Sequence, residues 1–346
     1  MSVVFSAAVA LATLRRCCVS VRRVSTTCTA RGVGHHCAEV ELCLAHPDNP
    51  LLRTHVAVAL RVNPITEHHH IVWWHKQAGE TDAPAQQPQP SCNDGESCAL
   101  SEIELNDRLQ FFHAVREAQW KLSASTGCTD FNISWQEGSG APIPGGFTAW
   151  ARYVHIVPRL RGDLEGDVVH ELIEKWTWRE GLEHPPSQPW PLDDQRQDRT
   201  DETMAEEAAR FRSAVVEARF GSPQLVEGKP APFSFAHIDI PASQVFYESL
   251  SGSTVAFVNL RPLRPGHVLV SPRRCVRRLS DLSIAEYEDL IQSAWEVGKA
   301  FERARVGELT ASFTNYPGFI FAVQDGPLAN QSIPHVHIHI IPRAWS

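Results

Sequence analysis

Several absences narrow the chain before any motif is read. No apolar run reaches the ~20 residues that a membrane-spanning helix needs; the longest, Val3 to Leu14, stops well short. A basic surplus is missing too. Lys and Arg number 32 against 40 Asp and Glu, a formal net charge of −8, which removes the electrostatic footprint of a nucleic-acid binder. The nine cysteines show no paired metal-ligand spacing, and their odd number does not close a disulfide framework. Reduced thiols in an intracellular compartment are the simpler reading. Apolar residues are not scarce: at 43% they exclude a wholly disordered chain, and 346 residues suit about two domains.

Acidic side chains are absent from one stretch only. No Asp or Glu stands before Glu39, whereas Arg15, Arg16, Arg22, Arg23 and Arg31 fall there among many Ser, Thr, Ala and Val. Arg15 and Arg22 are seven apart, as are Arg16 and Arg23. Seven residues are nearly two helical turns, so each pair shares a face in a helix. An amphipathic, Arg-rich, acid-poor leader over residues 1–36 reads as a mitochondrial transit peptide, with a cytoplasmic location as the alternative. A secretory signal is disfavoured because the charges follow the apolar run instead of preceding it. An inconsequential tail is the third reading.

Beyond the leader the sequence repeats itself. His55 to Pro64, then His70 to Trp74, form a strand–turn–strand pattern that returns at Thr254 to Pro262, then His267 to Ser271. A helical pattern follows each: Glu102 to Leu122, then Ile284 to Arg303. A further strand follows each helix, Phe131 to Gly138 and Phe319 to Gly326. The units close on His155-Ile-Val-Pro-Arg and His339-Ile-Ile-Pro-Arg. Gln136 thereby pairs with Gln324, and His155 with His339. Shared order of this kind marks a duplicated α+β unit. Gly79 to Cys98, rich in Pro, Gln and Ser, interrupts the first copy as a loop. After it come a helical pattern at Asp167 to Arg179, a Pro- and charge-rich linker at Gly181 to Asp201, and a helix at Glu202 to Phe220.

The chemistry concentrates in His335-Val-His337-Ile-His339-Ile-Ile. On a strand, alternate side chains share a face, so the three imidazoles line one side while Val336, Ile338 and Ile340 face the core. Pro342 ends the strand. Gln324-Asp-Gly-Pro327 and a loop from Leu328 to Pro334 precede it, so that Asn330, Gln331 and Ser332 stand beside the histidines. Imidazoles offer a nucleophile and donors to anionic oxygens. Neutral amides and hydroxyls bind a phosphate ester without quenching that nucleophile. Two alternatives stay open on the pattern alone. A metal site is one, although no Cys or Glu stands in the strand or its loop to complete it. A structural cluster is the other.

His335-Val-His337-Ile-His339-Ile-Ile matches the histidine-triad motif at every position, and Gln324 to Arg343 resembles the fragile histidine triad branch, the dinucleoside triphosphate hydrolases. The resemblance spans Phe233 to Arg343. Phosphoramidase relatives usually carry Asn in place of Gln324, and uridylyltransferase relatives carry Gln in place of His339. The resemblance implies that His337 attacks the α-phosphorus to give a nucleotidyl-histidine, which water then cleaves. It also implies that His335 and His339 orient His337 and bond phosphate oxygens. Gln324 would contact the bridging region, Gln331 and Ser332 the phosphate oxygens, and Asn259 a ribose. Phe235 and Phe257 would line the base pocket, with plain core packing as the alternative for both. No metal cofactor is required for the covalent step, although Mg²⁺ can accompany the substrate. His267 has a counterpart in the family and reads as structuring its turn, not as a reacting group.

The first copy departs from the motif. Ala151 and Tyr153 stand where the second copy has His335 and His337, and only His155 remains. Arg159-Leu-Arg-Gly-Asp163 and the helix from Glu202 nevertheless resemble that branch's tail. The expectation is therefore an α+β fold of two histidine-triad units, each an antiparallel sheet with helices, joined as an intrachain pseudo-dimer. Residues 37–160 would be degenerate, 161–232 a tail helix and linker, and 233–346 active. The implied function is hydrolysis of diadenosine triphosphate to AMP and ADP. A nucleoside phosphoramidate hydrolase and a slow-turnover nucleotide-binding signalling protein are the alternatives. The partner is a nucleotide, not nucleic acid or membrane, and further oligomerisation is allowed. His68, His69 and His70 read as a turn-exposed trio, with a metal site as the alternative. Arg261, Arg264, Arg273, Arg274, Arg277 and Arg278 read as a solvated basic face or a steering patch for an anionic nucleotide.

Overall fold

The runs rich in β-branched and aromatic residues become strands, and the helical patterns become helices. The computed structural model describes residues 39–43, 55–61, 64–76, 105–137, 153–164, 168–176, 190–191, 193–220, 231–304 and 318–342. The leader (1–36), the loop at 79–98 and Ala151 lie outside them. The first half holds β1 (Glu39–Cys43), β2 (His55–Arg61), β3 (His70–Lys76), α1 (Leu105–Thr126), β4 (Asp130–Glu137) and β5 (Tyr153–Arg159). Two helices, α2 (Val168–Lys175) and α3 (Asp201–Phe220), follow. The second half holds β6 (Phe233–Phe235), β7 (Ile238–Ile240), β8 (Val245–Glu248), β9 (Thr254–Val258), β10 (Val268–Pro272), α4 (Ile284–Arg303), β11 (Phe319–Asp325) and β12 (Ile338–Pro342). Helix α1 ends later than its pattern predicts. Ser125 and Thr126 bond back to the Leu122 carbonyl, and the left-handed Gly127 (φ 75°) closes the helix on the Ser123 carbonyl. No helix among the described residues is long and apolar enough to cross a membrane.

Ten strands make one antiparallel sheet in the order β1-β2-β3-β5-β4-β11-β12-β10-β9-β8, and β6 and β7 form a separate hairpin. The two halves meet at β4 and β11. In the first half Ser134 lies opposite His155, and in the second Ala322 lies opposite His339, so Ser134 and Ala322 are equivalent positions. They also face each other across the β4–β11 pair, while Phe131 faces Asp325 and Glu137 faces Phe319. Exchanging the halves leaves this register unchanged, as a local two-fold axis requires.

Helices α1 and α4 cover one face of that seam. Trp135 stacks on Phe321 with ring centroids 5.0 Å apart, and Phe112 meets Trp135 and Trp295 edge-on at 4.9 and 5.0 Å. A capping box starts α4: Ser283 Oγ accepts from the Glu286 N–H, and the Glu286 carboxylate accepts from the Ser283 N–H. Helix α3 packs on the second half, where Phe211 meets Phe301 at 4.6 Å and Phe246 at 5.4 Å.

Gly298 lets α4 cross the seam closely. A Cβ there would lie 2.6 Å from Cζ of Phe321, a fully buried ring trapped by its stack on Trp135. Gly→Ala inside an exposed helix gains roughly 0.5–1 kcal/mol, whereas overpacking costs about 1–3 kcal/mol. Gly298→Ala should therefore lower the urea midpoint, by about 1–2 kcal/mol of stability. A midpoint unchanged or raised would show that the seam has slack.

Candidate active site

The three histidines do not all lie on β12, as their alternation predicts. The strand begins at Ile338, because the backbone before it bonds elsewhere: the His335 N–H to the Ile333 carbonyl (2.8 Å) and the Val336 N–H to the Val276 carbonyl (2.8 Å). Alternation survives without the ladder, since Val336, Ile338 and Ile340 enter the main core. The hydrogen bonds then assign each tautomer. His335 Nδ1 accepts from the Ala236 N–H (3.1 Å), and its Nε2 donates to the Pro272 carbonyl (2.8 Å). Both of its nitrogens are taken, so it places His337 and does not itself bond phosphate. His337 Nδ1 donates to the His335 carbonyl (2.7 Å), which leaves the lone pair on Nε2. His267 Nδ1 accepts from the Leu263 N–H (3.0 Å), so its Nε2 carries the proton and donates to His339 Nδ1 (2.9 Å). The remaining proton of His339 sits on Nε2, which is buried without a hydrogen-bond partner among the described residues.

The flanking residues divide between the site and its scaffold. Gln324 is buried at the end of β11, and the register that sets Ala322 opposite His339 carries it to the level of His337. Phe235 lies 5.2 Å from the His335 ring and 5.1 Å from the His337 ring, and Phe257 lies 5.1 Å from Phe235. These rings belong to a small apolar cluster separate from the main core. Ser332 is exposed at the end of the loop. Gln331 is used otherwise than the resemblance implies. Its Oε1 accepts from the Gly326 N–H (2.9 Å) and its Nε2 donates to the Arg277 carbonyl (3.1 Å), so its amide ties the loop shut. Asn259 is partly committed as well: Oδ1 accepts from the Arg261 N–H (2.8 Å), and Nδ2 stands 3.3 Å from His267 Nε2. The segment before α3 runs beside it. Arg199 bonds the Asn259 and Leu260 backbone, and Arg196 the Arg261 carbonyl. Among the described residues no group of three His, Cys, Asp or Glu side chains is arranged to hold a metal ion.

Comparison with known proteins resolves the motif. Residues 240–345 match the model of the HIT domain. The chain is 44% identical over 111 residues to the bifunctional bis(5'-adenosyl)-triphosphatase/adenylylsulfatase FHIT of Arabidopsis thaliana, covering 32% of this chain and 56% of the relative. It is 46% identical over 101 residues to the asymmetrical bis(5'-nucleosyl)-tetraphosphatase of Schizosaccharomyces pombe, covering 29% and 50%. It is 42% identical over 104 residues to the bis(5'-adenosyl)-triphosphatase of Dictyostelium discoideum, covering 30% and 62%. Residues 240–345 are a HIT domain of the fragile histidine triad branch. Matches to these curated relatives span between half and two thirds of their length.

The first half preserves one piece of the HIT domain's wiring. His69 Nδ1 accepts from the Ile65 N–H (3.0 Å), and His69 Nε2 meets His155 Nδ1 at 3.0 Å. This repeats Leu263, His267 and His339 bond for bond. The register of β3 on β5 makes His69, not His70, the equivalent of His267. His69 and His70 are consequently buried and not turn-exposed. Where the HIT domain has His337 the first half has Tyr153, and Trp176 packs on Tyr153 (5.5 Å), His155 (4.9 Å) and His69 (6.2 Å). The arginine group is no open basic face: Arg261, Arg264, Arg273, Arg274 and Arg278 pair with Asp198, Glu174, Glu248, Glu286 and Asp130.

Electrostatics favour neutral imidazoles. Burial holds His337 down to about 4, against an opposing hydrogen bond from its Nδ1 to the His335 carbonyl. Burial likewise lowers His335. It pushes His339 and His267 well below the usual range, with His337, His170 and Arg196 adding positive charge nearby. An ordinary histidine titrates near ~6.5, so the acid limb moves down. The neutral form reacts, and activity is lost as pH falls through the pKa of the free enzyme. kcat/KM at pH 5.5 should stay within about twofold of its value at pH 7.5 and fall below about pH 4.5. A tenfold loss already at pH 5.5 would restore the ordinary value and contradict the buried, neutral His337.

Proposed function

We propose that the HIT domain hydrolyses dinucleoside polyphosphates, with diadenosine triphosphate giving AMP and ADP, through a nucleotide carried on His337 Nε2. The observation that carries this is the tautomer. With Nδ1–H engaged by the His335 carbonyl, the only lone pair on the ring belongs to Nε2. That nitrogen attacks the α-phosphorus, the N–P bond forms as the bond to the bridging oxygen breaks, and the nucleoside diphosphate leaves. Water then attacks the same phosphorus, returns the electron pair to Nε2 and releases the monophosphate. His339 Nε2–H has no partner among the described residues, which makes it the donor for a phosphate oxygen. Phe235 and Phe257 offer aromatic surface to a base, Asn259 a ribose contact, and Ser332 a hydroxyl to phosphate. Gln324 steadies the phosphate beside His337. The names of the relatives support this substrate class.

The proposal includes one working site per chain, the first half standing as the partner protomer of an intrachain pseudo-dimer. The self-equivalent β4–β11 register supports this, as does Tyr153 at the nucleophile's position, packed against Trp176.

His337→Ala should cut turnover by on the order of 10⁴, as loss of a nucleophile does in other covalent enzymes. In the wild type, alkaline quench during turnover should reveal one nucleoside monophosphate on the peptide carrying His337. Turnover within tenfold of wild type together with an absent adduct would end the assignment. Faster cleavage of an adenosine phosphoramidate than of any dinucleoside polyphosphate would redirect it.

A further inference from the structure

The loop that ends Gln324-Asp-Gly-Pro and leads to Ser332 rests on the other half of the chain. Asp130, at the start of β4, is buried, and its Oδ2 accepts from the Leu328 N–H (2.8 Å). Its Oδ1 accepts from Arg278 Nη2 (2.6 Å). Two residues on, the fully buried Asn132 donates from Nδ2 to the Ala329 carbonyl (3.1 Å). Arg159, also buried, donates from Nη1 to Asn132 Oδ1 (2.7 Å), which fixes which way that amide points. Arg159 is in turn held by Asp163 and by the Leu164 carbonyl (2.8 Å). The loop is thus gripped by an N–H and a carbonyl of adjacent residues, directly before the left-handed Asn330 (φ 67°) turns it toward the histidines.

Gly326 shows how tight this seat is. Its φ is 111°, and a Cβ there would lie 1.7 Å from Arg278 Nη1 and 2.4 Å from Asp130 Oδ1. The ion pair between the halves lies against the glycine of the motif.

The seat works in one direction. By the register, Asp130 and Asn132 are equivalent to Gly318 and Ile320 of the second half. Neither of those can accept or donate through its side chain. A role in sheet stability alone would be served equally by both ends of a symmetric seam. Gln136 and Glu137 are polar at the far end too, but at the two positions in question an acceptor and a donor stand only beneath the loop that carries Gln331 and Ser332.

We infer that Asp130 and Asn132, oriented by Arg159, are positioning residues for the HIT domain's catalytic loop: the half without a nucleophile sets the geometry of the half that has one. This rests on the hydrolase reading for its kinetic consequence, but not for its structural one. A displaced contact of this kind costs rate more than binding, on the order of ten- to a hundredfold.

The test uses the full chain with Asn132→Asp and Asp130→Ala. Asn132→Asp keeps the shape and the partner of Arg159 but sets a carboxylate against the Ala329 carbonyl, so the variant folds while the seat fails. Expected results are kcat down at least about tenfold with KM changed less than about threefold, thermal midpoints for Asn132→Asp near wild type, and faster amide exchange in 326–332 for both variants. The exchange measurement needs no substrate. Faster exchange in 326–332 with no hydrolysis by the wild type would leave the seat standing and end the hydrolase reading. Unchanged exchange at 326–332, or unchanged kcat in Asn132→Asp beside an active wild type, would overturn the inference. If Asp130→Ala unfolds, Asn132→Asp alone decides.

Discussion

Seven residue pairs join β4 to β11, and what lies on either side of that seam depends on their register. On one face, the stacked Trp135 and Phe321 fix how closely α4 can approach and demand Gly298. On the other, the register sets Gln324 level with His337. At the end of the seam, Asp130 and Asn132 come to lie under the loop from Gly326 to Gln331. A slip of one residue would reverse every side chain on β11. Trp135 would lose its stacking partner and the loop its seat. Packing and chemistry are therefore fixed by the same hydrogen-bonded ladder.

Within the second half, backbone carbonyls and amides do much of the chemical selection. The Leu263 N–H decides which nitrogen of His267 is protonated. His267 decides the tautomer of His339, and the His335 carbonyl decides that of His337. Burial then keeps these rings neutral. The first half retains the Ile65, His69 and His155 link but fills the space around it with Trp176 and Tyr153. Retention of the inner pair beside loss of the nucleophile fits a half kept for its contacts. Those contacts include the cross-seam bond from Gln119 to Asp325, a carboxyl that burial pushes up to about 6.

Much of this was legible in the sequence. Strand and helix patterns, the repeat, and the grouping of the three histidines follow from periodicity and a specific motif. Other features were hidden because sequence spacing does not report backbone bonding. His335 and Gln331 look like phosphate ligands until their partners turn out to be Ala236, Pro272, Gly326 and Arg277. His69 looks like one of an exposed trio, and strand register alone makes it the twin of His267. Asp130 and Asn132 carried no signal of their own, since their partners lie almost 200 positions further along the chain. Comparing the two copies position by position, and asking why Asp and Asn replace Gly and Ile, would have singled them out.

The central claim is that one polypeptide holds a complete two-half assembly with a single working site. Native mass spectrometry of the intact chain, titrated with a non-hydrolysable dinucleoside triphosphate analogue under conditions where activity is retained, tests it most directly. The account predicts an active monomer that binds one analogue. An activity that appears only in a dimer, or two analogues bound with equal affinity per chain, would contradict it.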